Sequence, residues 1–188
     1  QGIIAGGEQA MFKSIENAED DITEIRDIIS NKSITSNDIV IGISCSGDAP
    51  FVLEFLNQSD QLGASTALIT FNDIEDLTFV DTILRVFVGP EIVSGSTRMK
   101  SGTATKIILN MISTTTMIKL NKTYGNFMVD LKIMNKKLLN RGIHIVQSLT
   151  ELDREQSEAL LERADRKIKN AIIMHKLDTT YEESEELL

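Results

Sequence analysis

The chain has 188 residues, 41% of them hydrophobic, which is enough for one domain with a real core and a small appendage. Its 28 acidic and 19 basic residues give a net charge of −9, which argues against a nucleic-acid or anionic-membrane surface. One cysteine allows no internal disulfide and fits a reducing cytoplasm, and no apolar run approaches the roughly 18 residues of a membrane span.

The chain begins at Gln1, and no signal peptide is visible. Residues 3–5 are a short apolar piece ended by Gly6-Gly7, which reads as a strand end entering a loop. A start lying upstream is therefore expected. Glu8 to Ser30 is helix-compatible, with a break at Asp20-Asp21 inside an acidic cluster that reads as a solvated helix end. Asn31 to Asn37 reads as a loop. Asp38 to Ile43 is a nearly continuous apolar run, the mark of a strand buried on both faces. Ser44-Cys45-Ser46-Gly47-Asp48-Ala49-Pro50 follows as a loop. Pro50 suits the first turn of a helix, continued by Phe51, Val52, Phe55 and Leu56. Cys45 has no base beside it and reads as a small buried thiol. Ala64 to Thr70 and Ile83 to Val88 read as further strands, separated by a polar loop or short helix over 72–80. Strands alternating with helices predict an α/β fold with a parallel sheet.

The stretch from Val86 to Asn110 organises the rest. An apolar strand stops at Gly89-Pro90, a small-residue loop Ser94-Gly95-Ser96-Thr97 follows, and a helix runs on from Met99 to Leu120. Ligands collect at such strand-to-helix loops in open α/β sheets, and helix N-termini favour anions. Backbone N–H groups, hydroxyls, Glu91, Arg98 and Lys100 equip this loop for a polar ligand. The helix is apolar on more than one side (Ile107, Ile108, Met111, Ile112, Met117, Ile118), so sheet and partner are both expected to cover it.

After a break at Asn121 to Gly125, residues 126–149 are predicted helical. From Thr150 the chain turns Glu-, Arg- and Lys-rich and reads as three short helices, 152–163, 165–176 and 180–187, with Thr150 and Thr180 as N-caps. Leu160, Leu161, Ile168, Ala171, Ile172 and Leu177 are their expected mini-core. His144 and His175 are isolated and have no metal-ligand spacing.

Three stretches together are distinctive: IIAGGEQAMFKSIENAED (3–20), VGPEIVSGSTRMKSGTATKIILNMIST (88–114) and TYGNFMVDLKIMNKKLLNR (123–141). They resemble the N-acetylmuramic acid 6-phosphate etherases of the sugar-isomerase (SIS) fold group; the related glucokinase regulatory proteins share the middle block. The resemblance implies a parallel-sheet SIS domain over 1–149, incomplete at its N-terminus, and a small helical UBA-like cap over 150–188. It implies a cytoplasmic homodimer that binds a sugar 6-phosphate and needs no metal or cofactor. The implied reaction splits the lactyl ether of N-acetylmuramic acid 6-phosphate into N-acetylglucosamine 6-phosphate and D-lactate, in cell-wall sugar recycling. One carboxylate removes the proton at sugar C2, and a second carboxyl group assists departure of lactate. The E-x-A-E-D segment assigns the base to Glu19. The second carboxyl belongs to an N-terminal motif with no counterpart in these residues. Ser44, Ser46, Gly47, Glu91, Ser96, Thr97 and Lys100 are the expected ligand contacts. In the hydroxyl loop the etherases resemble A-S-G-R-T-P, whereas this chain has C-S-G-D-A-P, with Asp48 and Ala49 replacing a basic and a hydroxyl residue. The A-P-F-V run (49–52) is similar to the regulatory proteins, which implies the alternative of a sugar-phosphate sensor without turnover.

Overall fold

The computed structural model describes residues 1–188, which form two compact units, Gln1–Leu109 and Asn110–Leu188. The break between the two units falls after Leu109.

In the first unit, β1 (Ile39–Ile43), β2 (Ser65–Thr70) and β3 (Thr82–Arg85) make a parallel sheet in the order β1-β2-β3. Ile41 pairs with Ala67 and Ile69 with Leu84. The alternation of strand and helix thus yields the expected parallel α/β sheet. The central strand β2 buries Thr66, Leu68, Ile69 and Thr70. Helices α1 (Ile25–Lys32) and α2 (Pro50–Gln61) bring Ile25, Ile29, Phe51 and Phe55 into one cluster, with Val40 of β1 packed against it. Pro50 opens α2, as its fixed φ and missing N–H favour. A side chain at Gly42 would meet Val52 at 2.7 Å and Leu56 at 2.8 Å, so glycine there lets α2 lie close on β1.

Several expectations are corrected. β1 is not buried on both faces: Ile39 is 72% exposed, and Ile41 and Ile43 are exposed too. It is an edge strand covered on one face only. Residues 3–5 form no strand. The break expected at Asp20-Asp21 is present, but the part of 8–30 before it is two short 3-10 turns, Glu8–Met11 and Ala18–Asp20, and α1 starts only at Ile25. Asn17, at positive φ, opens the second of these turns and breaks the helical run. The strand expected to reach Val88 ends at Arg85.

Helix α3 (Lys100–Lys119) has the expected length, but its sole buried residue is Ser101. Ile107 is 50% and Met111 62% exposed, so the expected sheet cover is missing from this chain.

In the second unit, β4 (Thr123–Tyr124) and β5 (Phe127–Met128) form a hairpin about Gly125, whose φ of 58° suits a two-residue turn. Helix α4 (Lys136–Thr150) therefore starts ten residues later than expected, where the Asn135 side chain accepts from the Leu138 N–H at 3.0 Å. Helices α5 (Arg154–Arg163), α6 (Ile168–Leu177) and α7 (Tyr181–Glu186) follow. Thr180 caps α7 in a capping box with Glu183. Thr150 is no cap. It closes α4 and donates to the Val146 carbonyl at 2.7 Å, while Asp153 caps α5. The core joins Leu160, Leu161, Ile168, Ala171 and Ile172 to Ile143 and Val146 of α4. Leu177, expected inside, is exposed.

Candidate functional site

The first unit holds a cleft of about 800 Å³ along the free side of β1, within the size range of small-ligand sites. It runs from Lys32 and Asp38 beside the start of the strand to Ser44, Cys45 and Ser46 at its end. Ile3, Ile4, Glu19, Gly95 and Thr97 line it as well. Four sequence-predicted residues therefore meet in one cavity: Glu19, Ser44, Ser46 and Thr97. Gly47, Glu91, Ser96 and Lys100 are not among its lining residues.

Glu19 reaches the cleft from the second 3-10 turn, which packs on α2. Its side chain is exposed and engaged by no other protein group in the hydrogen-bond pattern. Asp38 is the other carboxylate lining the cleft, but it accepts from the Thr35 N–H at 2.9 Å and the Thr35 hydroxyl at 3.2 Å. Glu19 is thus the lining carboxylate with neither oxygen engaged, while Asp38 has only Oδ1 open.

The hydroxyl loop is shaped by Ser44. Its Oγ is buried and accepts from the Gly47 N–H at 3.0 Å and the Ala49 N–H at 3.4 Å. Ser46 Oγ lies 3.4 Å from it and stays exposed. Gly47 is fixed by geometry: φ is +88°, and a Cβ would meet Thr70 Oγ1 and Ile74 Cγ2, both at 2.8 Å. Ile74 is held in turn by β3, because Arg85 Nε donates to its carbonyl at 3.0 Å and the guanidinium pairs with Asp76 at 2.5 Å. Asp48 is exposed. Cys45, expected to be buried, is half-buried and lines the cleft.

The second loop is pinned at its ends. Both Glu91 carboxylate oxygens accept from the Lys100 N–H at 3.0–3.1 Å, and one accepts from the Ser101 N–H at 3.0 Å. These are the first N–H groups of α3, which have no partner inside the helix. The Ser101 and Lys100 N–H donors hold the Glu91 carboxyl below the usual carboxylate range. Lys100 Nζ reaches back to the Pro90 carbonyl at 2.7 Å. The chain's own carboxylate thus occupies the helix terminus that the sequence suggested for a ligand anion.

Lys32 is the cation that the sequence reading missed. It sits in the last turn of α1 and is the one basic side chain lining the cleft. Nothing in its spacing marks it, since only the packing of α1 beside β1 brings it there.

The lining residues make a direct expectation. If the cleft holds a sugar phosphate, as the resemblance implies, Ser46→Ala and Thr97→Ala should each weaken its binding by roughly 1–3 kcal/mol, while Ser96→Ala should leave affinity unchanged. Calorimetric titration of the three variants checks this; equal affinities would remove the cleft from ligand binding.

Comparison with known proteins bears on the same segments. Residues 1–60 match the family described as the glucokinase regulatory protein N-terminal SIS domain, and residues 125–184 match the C-terminal lid domain of glucokinase regulatory protein. The chain is 45% identical to an N-acetylmuramic acid 6-phosphate etherase of Clostridium acetobutylicum, over 100% of this chain and 63% of the relative. It is 42% identical to one from a Picosynechococcus species, over 100% and 63%. It is 44% identical to one from Staphylococcus epidermidis, over 97% and 62%. The chain spans 63% of the length of the first of these relatives.

Proposed function

We propose that this chain works as the N-acetylmuramic acid 6-phosphate etherases it resembles do, its cleft binding a sugar 6-phosphate for cleavage of a lactyl ether; the 45% identity to such an etherase and the two glucokinase-regulatory-protein domain matches support the reading. The observation that carries this reading is the convergence of Glu19, Ser44, Ser46 and Thr97 on one cavity.

In the proposed reaction the Glu19 carboxylate takes the proton at C2 of the opened sugar. The electron pair forms the C2–C3 double bond as the C3–O bond to lactate breaks. A second carboxyl group gives the departing oxygen its proton, and water then adds across the double bond. The products are N-acetylglucosamine 6-phosphate and D-lactate. Ser46 and Thr97 meet the ligand's oxygens, while Ser44 and Gly47 hold the loop that presents them. An acid–base pair of this kind supplies roughly 10²–10⁴-fold for each positioned group. Recycling of cell-wall sugars in the cytoplasm completes the reading; no helix is long and apolar enough to cross a membrane.

A non-catalytic sugar-phosphate sensor is the second reading, favoured by Asp48 and Ala49 in the hydroxyl loop and by the regulatory-protein families matched. A lactate-release assay beside calorimetric titration separates the two. Binding with release supports the etherase, binding without release the sensor, and absence of binding sinks both.

The proposed assembly is a homodimer. The exposed apolar residues of α3 support it, since a helix apolar on several sides needs cover on each. Light scattering should therefore give a dimer or larger species, and a stable monomer at micromolar concentration would overturn the packing argument.

A further inference from the structure

Loop 92–99 supplies Gly95 and Thr97 to the cleft, yet little within it fixes its shape. Its backbone bonds run from the Ser96 N–H to the Val93 carbonyl and from the Arg98 N–H to the Ser96 carbonyl, both at 2.9 Å. Gly95, at φ +78°, has no atom within 4 Å of where a Cβ would stand. Ile92, Val93 and Met99 are exposed and anchor nothing. The loop's conformation must come from its ends.

Those ends are tied reciprocally. The Glu91 side chain, at the entrance, holds the backbone N–H groups of Lys100 and Ser101 at the exit. The Lys100 side chain, at the exit, holds the Pro90 carbonyl at the entrance, 2.7 Å away. The two ties run in opposite directions across the same gap, so together they set both the span and the twist of the loop's base. The Glu91 tie is also charge-assisted and sits at the positive end of the α3 dipole, where a carboxylate is favoured.

We propose that Glu91 and Lys100 are positioning residues: their reciprocal clasp holds loop 92–99 in the form that presents Thr97 to the ligand, and neither touches the ligand. This deepens the sugar-phosphate reading but stands on loop geometry that can be tested without any ligand.

The experiment is limited trypsin digestion of the folded protein, with cleavage after Arg98 followed by mass spectrometry, for wild type, Glu91→Gln, Glu91→Ala and Lys100→Met. Loss of the clasp opens the loop locally, and cleavage of a transiently opened segment follows its open population. Cleavage after Arg98 should rise by roughly 10- to 100-fold in Glu91→Ala, as expected for loss of charge-assisted hydrogen bonds, and less in Glu91→Gln, whose amide oxygen still accepts. Lys100→Met should show a smaller rise. Cleavage after Arg163, in the other unit, is the control and should not change. In parallel, affinities for N-acetylglucosamine 6-phosphate and for inorganic phosphate should fall by the same factor, with Gln partly rescuing both.

Unchanged cleavage after Arg98 in Glu91→Ala and Lys100→Met would overturn the clasp. So would loss of sugar-phosphate affinity with phosphate affinity and cleavage intact, which would make Glu91 a direct contact. If Glu91→Ala fails to fold, Lys100→Met and Glu91→Gln decide the question. A wild-type protein that binds no sugar phosphate defeats the functional reading alone, because the cleavage result still decides the clasp.

Discussion

Replacing Glu19 by Gln should cut lactate release by roughly 10²–10⁴-fold while leaving sugar-phosphate affinity nearly unchanged, as expected for the loss of a general base. The substitution keeps shape and hydrogen-bonding capacity but removes the basic oxygen. Glu19 is exposed at the cleft and sits in the middle of a short 3-10 turn with no buried residue, so no core contact is lost with it. Of the two carboxylates lining the cleft, Asp38 has its Oδ2 occupied by Thr35 and is poorly placed to substitute. Turnover is measured as lactate formed, and affinity by calorimetry on the same preparation, in a form of the protein active as wild type. Equal turnover in the Gln variant would remove Glu19 from the mechanism. A fall in affinity that matches the fall in rate would instead make it a binding group.

Gly47→Ala should destabilise the first unit by roughly 2–5 kcal/mol, combining backbone strain at positive φ with overpacking. Two independent costs coincide there. The φ of +88° disfavours any side chain, and the added Cβ would stand 2.8 Å from Thr70 Oγ1 and from Ile74 Cγ2. Thr70 lies fully buried in the central strand, and Ile74 is tied to Arg85, so neither yields cheaply. The Gly47 N–H also donates to Ser44 Oγ, and movement of the loop would break that bond and displace Ser46. Hydrogen exchange at β2, followed with urea, reads the loss, and ligand affinity should fall with it. Gly95→Ala is the control, since strain alone applies where no neighbour lies within 4 Å, at a cost of about 1–2 kcal/mol. Equal effects at the two glycines would show that the Thr70 contact does not matter.

The candidate site was legible in part. The Ser44–Ser46 loop and the Ser94–Thr97 loop each show in the residues, because small and hydroxyl residues after apolar runs have local causes, whereas Glu19 is marked only by the resemblance of its E-x-A-E-D segment. Glu91 and Lys100 were legible as polar residues in the right place but not in their role. Their partners are backbone groups nine or ten positions away, fixed only once the loop has closed on α3. Lys32 enters the cleft through the packing of α1, which leaves no periodic trace, whereas Asp38 is there because it directly precedes β1.

The residues by themselves determined the strand and helix periods, the Pro50 and Thr180 helix starts, and the parallel α/β alternation, because these depend on neighbours within a few positions. Burial was decided by the tertiary structure alone. The run Ile39–Ile43 looks equally apolar at the edge or the centre of a sheet, and only the order β1-β2-β3 leaves Ile39, Ile41 and Ile43 exposed along the cleft. Residues 126–135 show the same limit, since the apolar spacing suits a helix while the turn at Gly125 and the Asn135 cap delay α4 to Lys136. Exposure follows from what lies across the space from a residue, and that is set by topology, not by the residue's neighbours in the chain.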